Sequence, residues 1–571
     1  MVSCTRRIIL ILLGATAVYL AGNAHVSLFD RDEPRYAQCS RQMLQSGDWV
    51  VPRLYDEIRA QKPPLIYWCQ ATAMRIFGDG SVGGTFAARF PSSLAMLLTL
   101  IVLAVALWRG VSPRHAVWTI FILATSLMTI VSAKVCLTDS VLLLFTTIAQ
   151  LCLYSIYDGS RKWKPVLLMA VMLGLGGLTK GPFILGTVGC TAVVLTIFYL
   201  VGLMRGTIAP PETELTLKRF SYRSLQTIVG ILVIAAIVIP WLYLVYHRAP
   251  EFLVKATAEA KAHLEQGKEG HNLPPGYHFV LIWVTFFPWS FLLPIAIGLA
   301  IRHRHDPKIR FALAAVIGPW LMIEFMGTKL PHYILSVFPA LSFLTASAVI
   351  RCIDREEPDM QHRSFQIGAG CWAVGAILMS VVPWLLVPGF KLPGIHPPKF
   401  ANQPYPGLIA YTSAGIIYAA VVFALVRLRR YSAAMAATGI GMFVVVVIGF
   451  TLYLGQAKFL RTSINVAGVL KKVGATAPDS AVMIDYKEPS LGFYQGGTIR
   501  EEKTSFLNEK HWELWPHWLV LTRQAWEKAP EESRQRLQLL HDPILPYRGW
   551  AYSDGGRTVE ILVAENRASR K

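Results

Sequence analysis

The residues best suited to chemistry lie just after the first apolar segment of the chain. Asp32, Glu33, Arg35 and Tyr36 follow one another in Phe29-Asp30-Arg31-Asp32-Glu33-Pro34-Arg35-Tyr36-Ala37, and Lys62 opens the later stretch Lys62-Pro63-Pro64-Leu65. Carboxylates at the edge of a bilayer cost desolvation free energy, so they usually serve a substrate, an ion or a catalytic step. The alternative is that one acid caps a surface helix and the other is simply solvated.

Further charged residues stand at the ends of apolar runs that we expect to line one cavity. They are Lys134, Asp139, Lys180, Arg248 and Lys329, the last in Lys329-Leu330-Pro331-His332-Tyr333. Each cation alone is explained by snorkelling to lipid head groups. As a set, cations around carboxylates suit a phosphate leaving group and a polar nucleophile. Lys62 is the best phosphate ligand because the first amides of the helix predicted after it also favour an anion.

The elements that must position these residues are membrane spans. Of the 571 residues, 54% are hydrophobic and 16% charged, and the mean hydropathy is +0.44, which predicts an α-helical polytopic membrane protein. Thirteen runs have roughly the twenty apolar residues needed to cross the hydrocarbon. They lie near 8–28, 86–108, 116–133, 139–157, 165–179, 183–204, 225–246, 277–301, 311–327, 332–350, 366–388, 407–426 and 433–455.

The loops between the runs predict the orientation. The first run is long and lacks a cleavage pattern before Asp30, so we interpret it as a retained helix rather than a secretory signal. Clusters of Lys and Arg near 109–114, 161–164, 218–223, 302–310 and 427–430 all fall on one side, which the positive-inside rule makes cytoplasmic. We therefore expect a cytoplasmic N-terminus, a transmembrane domain over 1–455 with an outer loop over 30–84, and an outer domain over 456–571.

Local patterns predict the elements of the outer segments. Asp32 and Pro34 are expected to open an amphipathic helix along the membrane surface, and a second helix should start at Lys62-Pro63-Pro64 and run through Leu65 to a stop at Gly78. The tail should be an α/β domain. Its predicted strands are 481–484, 518–521 and 558–564, the last after an Asp554-Gly555-Gly556 turn, with a helix over 523–540.

Several classes of function and site are not supported. The net charge of +20 fits membrane topology and anionic lipids rather than nucleic acid. The eight cysteines show no CxxC pair or zinc spacing, so neither a disulfide framework nor a cysteine-metal site is expected. We expect His263 and His271 to be uncoordinated, although a divalent metal is left open. Residues 247–276 are either a solvated helix with a turn or a mobile lid.

The motifs together resemble a known family. Asp30-Arg31-Asp32-Glu33-Pro34-Arg35-Tyr36-Ala37, Lys62-Pro63-Pro64-Leu65, Leu137-Thr138-Asp139, Lys180-Gly181-Pro182 and Leu330-Pro331-His332-Tyr333 resemble the lipid-A aminoarabinose transferases (ArnT). They also resemble the wider protein O-mannosyltransferase-like group of GT-C glycosyltransferases. The resemblance covers nearly the whole chain, and it implies a GT-C fold in a monomeric protein of the bacterial inner membrane.

The resemblance also implies an activity and a set of site residues. The activity is transfer of a sugar, with inversion, from a polyprenyl phosphate to lipid A or another periplasmic acceptor, without a nucleotide sugar. Asp32 and Asp139 would be the catalytic acids, Lys62 and Arg35 would hold the donor phosphate, and Lys180, His332 and Tyr333 would line the same cavity. We also expect Glu33, Tyr36, Arg248 and Lys329 to contact substrate.

The acceptor decides the role of Asp32. A serine hydroxyl must lose a proton as it attacks, so Asp32 would be a general base. A lipid A phosphate is already anionic, so Asp32 would instead position it, stabilise charge on the sugar ring or pair with a sugar amine. We expect 4-amino-4-deoxy-L-arabinose transfer to lipid A; mannosyl transfer to protein or another glycan is the alternative. A lipid or solute transporter is the alternative from another class, although the acids lie at the surface rather than at the midplane where carriers bind.

Overall fold

Helices make up most of the protein, and a mixed sheet follows them. The computed structural model describes residues 2–28, 31–206, 213–265, 273–354, 358–387, 403–552 and 556–570. Parts of three predictions lie outside these ranges. They are Phe29 and Asp30 of the first acidic motif, residues 266–272 of the segment predicted as either a solvated helix or a lid, which include His271, and the Asp554-Gly555 portion of the predicted turn in the tail.

Eighteen α-helices precede the tail in the described ranges, and each of the thirteen predicted runs overlaps at least one of them. They are α1 (Val2–Leu20), α2 (Asp32–Ser46), α3 (Leu65–Phe77), α4 (Ser81–Gly110), α5 (Pro113–Thr125), α6 (Leu127–Lys134), α7 (Asp139–Tyr157), α8 (Trp163–Lys180), α9 (Phe183–Met204), α10 (Thr213–Arg248), α11 (Glu251–Glu265), α12 (Tyr277–Thr285), α13 (Leu293–Arg302), α14 (Pro307–Phe325), α15 (Phe338–Asp354), α16 (Pro358–Val381), α17 (Tyr405–Arg427) and α18 (Tyr431–Ile448).

This is a multi-pass membrane protein. Within the described residues, eight helices are long and apolar enough to cross a membrane, or ten if each of two bent pairs is one span. The count of thirteen spans therefore stays a prediction.

Two predicted spans are not straight helices. The run 116–133 bends by 64° between α5 and α6, where the Leu127 amide donates to the Phe287 carbonyl at 2.7 Å instead of continuing the helix. The run 277–301 bends by 120° between α12 and the segment Ser290–Arg302. Pro288 lies in that break, and proline lacks the amide hydrogen that a continuous helix needs.

The first outer loop folds into two helices and a short ribbon. Strands β1 (Arg53–Leu54) and β2 (Glu57–Ile58) pair antiparallel between α2 and α3. α2 ends at Gly47, whose φ of 71° is the left-handed conformation that glycine adopts without strain, and α3 ends at Gly78 as expected. Asp32 is the first residue of α2 rather than its cap, because Arg31 occupies the cap position.

α2 also differs from the surface helix that its pattern predicts. Nine of its fifteen residues are buried, among them Gln38 and Arg41. The helix packs against α3 and α4 and against α20 (Pro489–Gln495) of the tail. A helix buried on so much of its circumference is enclosed by protein rather than laid along a bilayer.

The tail is a six-stranded mixed sheet with helices, as the α/β prediction anticipates. Its strands are β3 (Ala481–Ile484), β4 (Arg500–Glu502), β5 (Trp518–Thr522), β6 (Leu537–Leu539), β7 (Tyr547–Ala551) and β8 (Arg557–Asn566). The order is β4-β3-β5-β8-β6, with β7 also paired to β8. β3 is parallel to β4 and β5, and β8 is antiparallel to β5, β6 and β7. The preceding helix is α19 (Thr462–Lys472).

The single helix predicted over 523–540 is wrong. The structure has α21 (Arg523–Lys528), α22 (Glu531–Arg536) and then strand β6, which pairs with β8. Pro530 separates the two helices, because the residue before a proline is disfavoured in the helical conformation and Ala529 is extended.

One apolar core joins the outer loop to the tail. Tyr36 and Cys39 of α2, Ile66 of α3 and Phe493 of α20 belong to the same buried cluster as Met483 of the sheet. The tail is therefore packed directly onto the segment that carries Asp32.

Candidate active site

α2 and the ribbon bring the first group of polar side chains together. Asp32 lies at the start of α2 with 46% of its side chain exposed, and Arg59, only 5% exposed, places Nη2 3.9 Å from Asp32 Oδ1. Arg59 Nε donates to the Tyr67 hydroxyl at 3.1 Å. The Arg59 guanidinium lies 5.2 Å from the centroid of the Tyr36 ring, which stacks on Tyr67.

The helix bundle supplies a second group. Asp139 is the first residue of α7 and Lys180 the last of α8, and their side chains form an ion pair of 2.7 Å. His332 Nε2 lies 3.7 Å from the other Asp139 oxygen. Lys180 Nζ is also 4.3 Å from the centroid of the Tyr333 ring. Aromatic faces and a carboxylate thus hold the Lys180 ammonium in place.

Lys62 lies near both groups. It interacts electrostatically with Lys180, Asp32, Arg59 and Asp139. Burial, followed by the neighbouring Lys180, lowers the pKa of Lys62 to about 8. Among the described residues, no carboxylate lies within 4.0 Å of the Lys62 ammonium. The two carboxylates of the site already have a cation beside them, so Lys62 is the cation left for a ligand.

The backbone adds to this positive surface. Lys62 directly precedes Pro63 and Pro64, and α3 starts at Leu65 with no side-chain cap from Pro64. The first amides of a helix point outward and carry a partial positive charge, which favours an anion. A half-buried ammonium beside such a helix start can receive a phosphate group.

Four predicted site residues lie apart from this cluster. Glu33 is fully buried and pairs with Arg89 at 2.7 Å. Arg248 is exposed and lies 3.4 Å from Asp48. Lys329 is buried and donates to the Met326 carbonyl at 2.8 Å. Lys134 donates to the backbone of α1, at 2.9 Å for the Val18 carbonyl, so it ties helices together.

Arg35 lies near residues that belong to neither of the two groups. It is half-buried and close enough to Tyr55 and to Glu501 of the tail to influence their charge. Its predicted contact with the donor phosphate stays a prediction, as do the catalytic roles of Asp32 and Asp139.

Sequence reasoning missed Arg59 and Tyr67. Arg59 stands three residues before Lys62, and Tyr67 lies in the first turns of α3. Both residues stand close to Lys62 in the sequence, and this proximity is a signal. The sequence does not show that the ribbon of β1 and β2 buries the Arg59 side chain beside Asp32. The described residues contain no group of three or more His, Cys, Asp or Glu side chains arranged to hold a metal ion.

Comparisons with known proteins show similarity in sequence and in fold. The family model described as dolichyl-phosphate-mannose-protein mannosyltransferase matches residues 7–255, which include Asp32, Lys62, Asp139 and Lys180. An undecaprenyl phosphate-alpha-4-amino-4-deoxy-L-arabinose arabinosyl transferase from Yersinia enterocolitica is 27% identical over 425 residues. That match covers 72% of this chain and 70% of the relative.

Two crystal structures share the fold. ArnT from Cupriavidus metallidurans in the apo state is 22% identical, with a TM-score of 0.72 over 99% of each chain. The same protein bound to undecaprenyl phosphate is 20% identical, with a TM-score of 0.74 over 98% of this chain and 97% of that one. The chain therefore shares the fold of ArnT, and over most of its length its sequence is similar to that of an aminoarabinose transferase that is named for undecaprenyl phosphate.

Proposed function

We propose that the protein transfers 4-amino-4-deoxy-L-arabinose from undecaprenyl phosphate to a phosphate of lipid A, with inversion, at the periplasmic face of the inner membrane. The donor is taken from the names of the relatives: the Yersinia enterocolitica relative is named for this sugar on this lipid, and one of the solved ArnT structures holds undecaprenyl phosphate.

The observation that carries the proposal is the state of Lys62. It is half-buried, lies among Lys180 and Arg59, and has no carboxylate within 4.0 Å among the residues that the structure describes. A cation left without a partner in such surroundings is costly unless an anion joins it. A lipid-linked phosphate supplies that anion, and its apolar tail would remain in the bilayer.

The chemistry is a displacement at the anomeric carbon of the sugar. An oxygen of the acceptor phosphate forms the new bond to this carbon while the bond to the donor phosphate oxygen breaks. The polyprenyl phosphate leaves with the bonding electron pair, and Lys62 with the start of α3 stabilises the charge that it gains. Asp32 stabilises positive charge on the sugar ring or pairs with its amine. Asp139 orients Lys180 toward the same space.

The surroundings of the two carboxylates favour an acceptor that is already anionic. Asp32 has Arg59 beside it, and Asp139 has Lys180 and His332. Neither carboxylate stands in the apolar, unpaired environment that makes a carboxylate a stronger base. A phosphate acceptor needs no such base, whereas a hydroxyl does.

A second candidate function is mannosyl transfer from a polyprenyl phosphate to a protein hydroxyl. It is favoured by the match of residues 7–255 to the protein mannosyltransferase model. In that reaction Asp32 would take the proton of the hydroxyl.

The test is a transfer assay with purified protein, labelled undecaprenyl-phosphate aminoarabinose and lipid A. We expect a gain of one pentosamine on lipid A by mass spectrometry. Asp32→Asn should lower turnover by about 10²–10³-fold with unchanged folding, because it removes the charge that stabilises the transition state. Asp56→Asn is the matched control, because Asp56 is exposed on the neighbouring ribbon.

Other outcomes would reject the proposal. Glycosylated peptide with unmodified lipid A would favour the mannosyltransferase. Movement of intact donor across vesicles without consumption would favour a transporter. Near-normal turnover by folded Asp32→Asn would remove Asp32 from the mechanism.

A further inference from the structure

We propose that Arg59 is the positioning residue of Asp32, holding its carboxylate toward the sugar from a frame built by Tyr36 and Tyr67. The inference rests on the proposed function. It assigns a role to Arg59, which lies outside the sequence motifs that resemble the family.

Several contacts other than the one with Asp32 hold Arg59 in place. Its backbone amide donates to the Pro52 carbonyl at 2.9 Å, which anchors the residue to the other side of the ribbon. Its Nε donates to the Tyr67 hydroxyl at 3.1 Å, and its guanidinium lies over the Tyr36 ring. A planar guanidinium held by a hydrogen bond and an aromatic face has few alternative rotamers. Its Nη2 atom is therefore presented in a defined direction.

Asp32 needs such a constraint. It is the first residue of α2 and its side chain is 46% exposed, so it lies beside the free amides at the start of the helix. A carboxylate in that place is attracted to those amides by the helix dipole. Arg59 competes with this attraction. Among the described residues, Arg59 is the cation that lies within 4.0 Å of Asp32. Arg59 therefore draws the carboxylate toward Tyr36 and Lys62.

The distance suits positioning rather than neutralisation. At 3.9 Å, Arg59 Nη2 and Asp32 Oδ1 attract each other electrostatically but lie beyond hydrogen-bond distance. The oxygens of Asp32 stay available to a sugar, while Arg59 limits where they point. A buried cation with this geometry also needs Asp32 as its counter-charge, so the two residues constrain each other.

A purely structural Arg59 would behave differently. If it served only to hold the ribbon and α3 together, its loss would lower stability and change all kinetic parameters alike. If it bound the donor phosphate, its loss would weaken donor affinity. A positioning residue instead lowers kcat and leaves donor affinity nearly unchanged.

The experiment compares Arg59→Gln, Arg59→Lys and Tyr67→Phe in the full-length protein. Turnover is measured as pentosamine transfer to lipid A, and donor-site affinity as binding of undecaprenyl phosphate by native mass spectrometry. We expect Arg59→Gln to lower kcat by about 10- to 100-fold, the size of one charge-assisted contact, with binding unchanged. Arg59→Lys keeps the charge and should recover most of kcat. Tyr67→Phe removes only the support of Nε and should give a smaller loss of kcat.

Arg53→Gln is the matched control, because Arg53 is an exposed cation on the same ribbon, and it should change neither parameter. The proposal is overturned if Arg59→Gln weakens undecaprenyl phosphate binding and leaves kcat intact, or if it changes neither. If Arg59→Gln fails to fold, an unchanged kcat in Tyr67→Phe overturns the proposal. An inactive wild type, or a fully active Asp32→Asn, would instead reject the proposed function itself, so the two failures are distinguishable.

Discussion

Asp32 and Glu33 are neighbours in sequence but have opposite surroundings. Successive residues of a helix point about 100° apart, so Asp32 lies beside Arg59 while Glu33 faces the bundle. Glu33 accepts from Arg89 at 2.7 and 2.9 Å and from the Cys136 amide at 2.8 Å. A buried pair of this kind is costly to break, at about 3–5 kcal/mol when one partner is removed. Glu33 thus holds α2 against α4, and Asp32 remains for chemistry.

The lowered pKa of Lys62 predicts a pH dependence of donor binding. A lysine with a pKa of about 8 loses its charge as pH rises through that value. Affinity for undecaprenyl phosphate should therefore be full at about pH 6.5 and fall above about pH 8. Lys62→Ala should lower affinity about 10- to 100-fold at neutral pH. Binding isotherms between these pH values test both statements.

Lys62→Arg is the informative companion to this titration. Its guanidinium remains charged over the whole range, so the decline above pH 8 should disappear. Equal pH dependence in wild type and Lys62→Arg would show that another group controls binding.

At the scale of elements, the site depends on how closely helices approach. A Cβ added to Gly318 of α14 would lie 2.5 Å from the Cys190 carbonyl carbon and oxygen of α9, and 2.8 Å from the Thr191 nitrogen. The two backbones are therefore in direct contact. α9 follows the Lys180-Gly181-Pro182 turn, and α14 leads toward the segment Pro331–Val337 that carries His332. Their contact fixes the distance between those two ends.

Gly318→Ala should therefore destabilise the bundle. Backbone atoms cannot move aside as a flexible side chain can, so we expect a loss of about 1–3 kcal/mol. Thermal unfolding of the purified protein in detergent measures it. Gly189→Ala is the control, because a Cβ at Gly189 of α9 meets nothing within 4 Å. Equal unfolding temperatures for the two variants would contradict close contact between α9 and α14.

At the scale of the whole molecule, the basic loops gather at one end. Arg114 pairs with Asp354 at 2.7 Å, Arg351 lies 2.6 Å from His303, and Arg310 donates to the Tyr157 hydroxyl at 2.6 Å. These contacts join the ends of α5, α15, α13, α14 and α7. Asp139 and Lys180 stand at the opposite ends of α7 and α8. The basic end and the candidate site therefore belong to opposite faces of the bundle.

This arrangement supports the proposed orientation and predicts the outcome of reporter fusions. The positive-inside rule places the basic end in the cytoplasm. Alkaline phosphatase, which folds only outside the cytoplasm, should be active when fused after Lys571. A fluorescent protein fused after a truncation at Ser160, beside the basic end, should fluoresce. Inactive phosphatase at Lys571, with a fluorescent fusion at the same place, would reverse the proposed topology.

Local sequence accounts for much of the fold and for several charged residues of the candidate site. The end of α3 at Gly78 and the places of β3, β5 and β8 follow from apolar periodicity and from the turn residues around them. Asp32, Lys62, Asp139 and Lys180 stand out because ionisable groups are rare at the ends of apolar helices. The bends after α5 and α12 and the division of α21 from α22 were not predicted. They depend on a contact with Phe287 and on the placement of single prolines.

The sequence by itself determined a multi-pass helical protein with a C-terminal α/β tail and with acids and cations at the ends of its apolar helices. Hydrophobicity and local spacing suffice for those features. Only the tertiary structure decided that Glu33 is paired inside the bundle, that Asp32 lies beside Arg59, and that Lys62 lacks a carboxylate partner among the described residues. Those relations join residues from distant parts of the chain, and only the packing of the helices brings Asp32, Lys180 and His332 into one site.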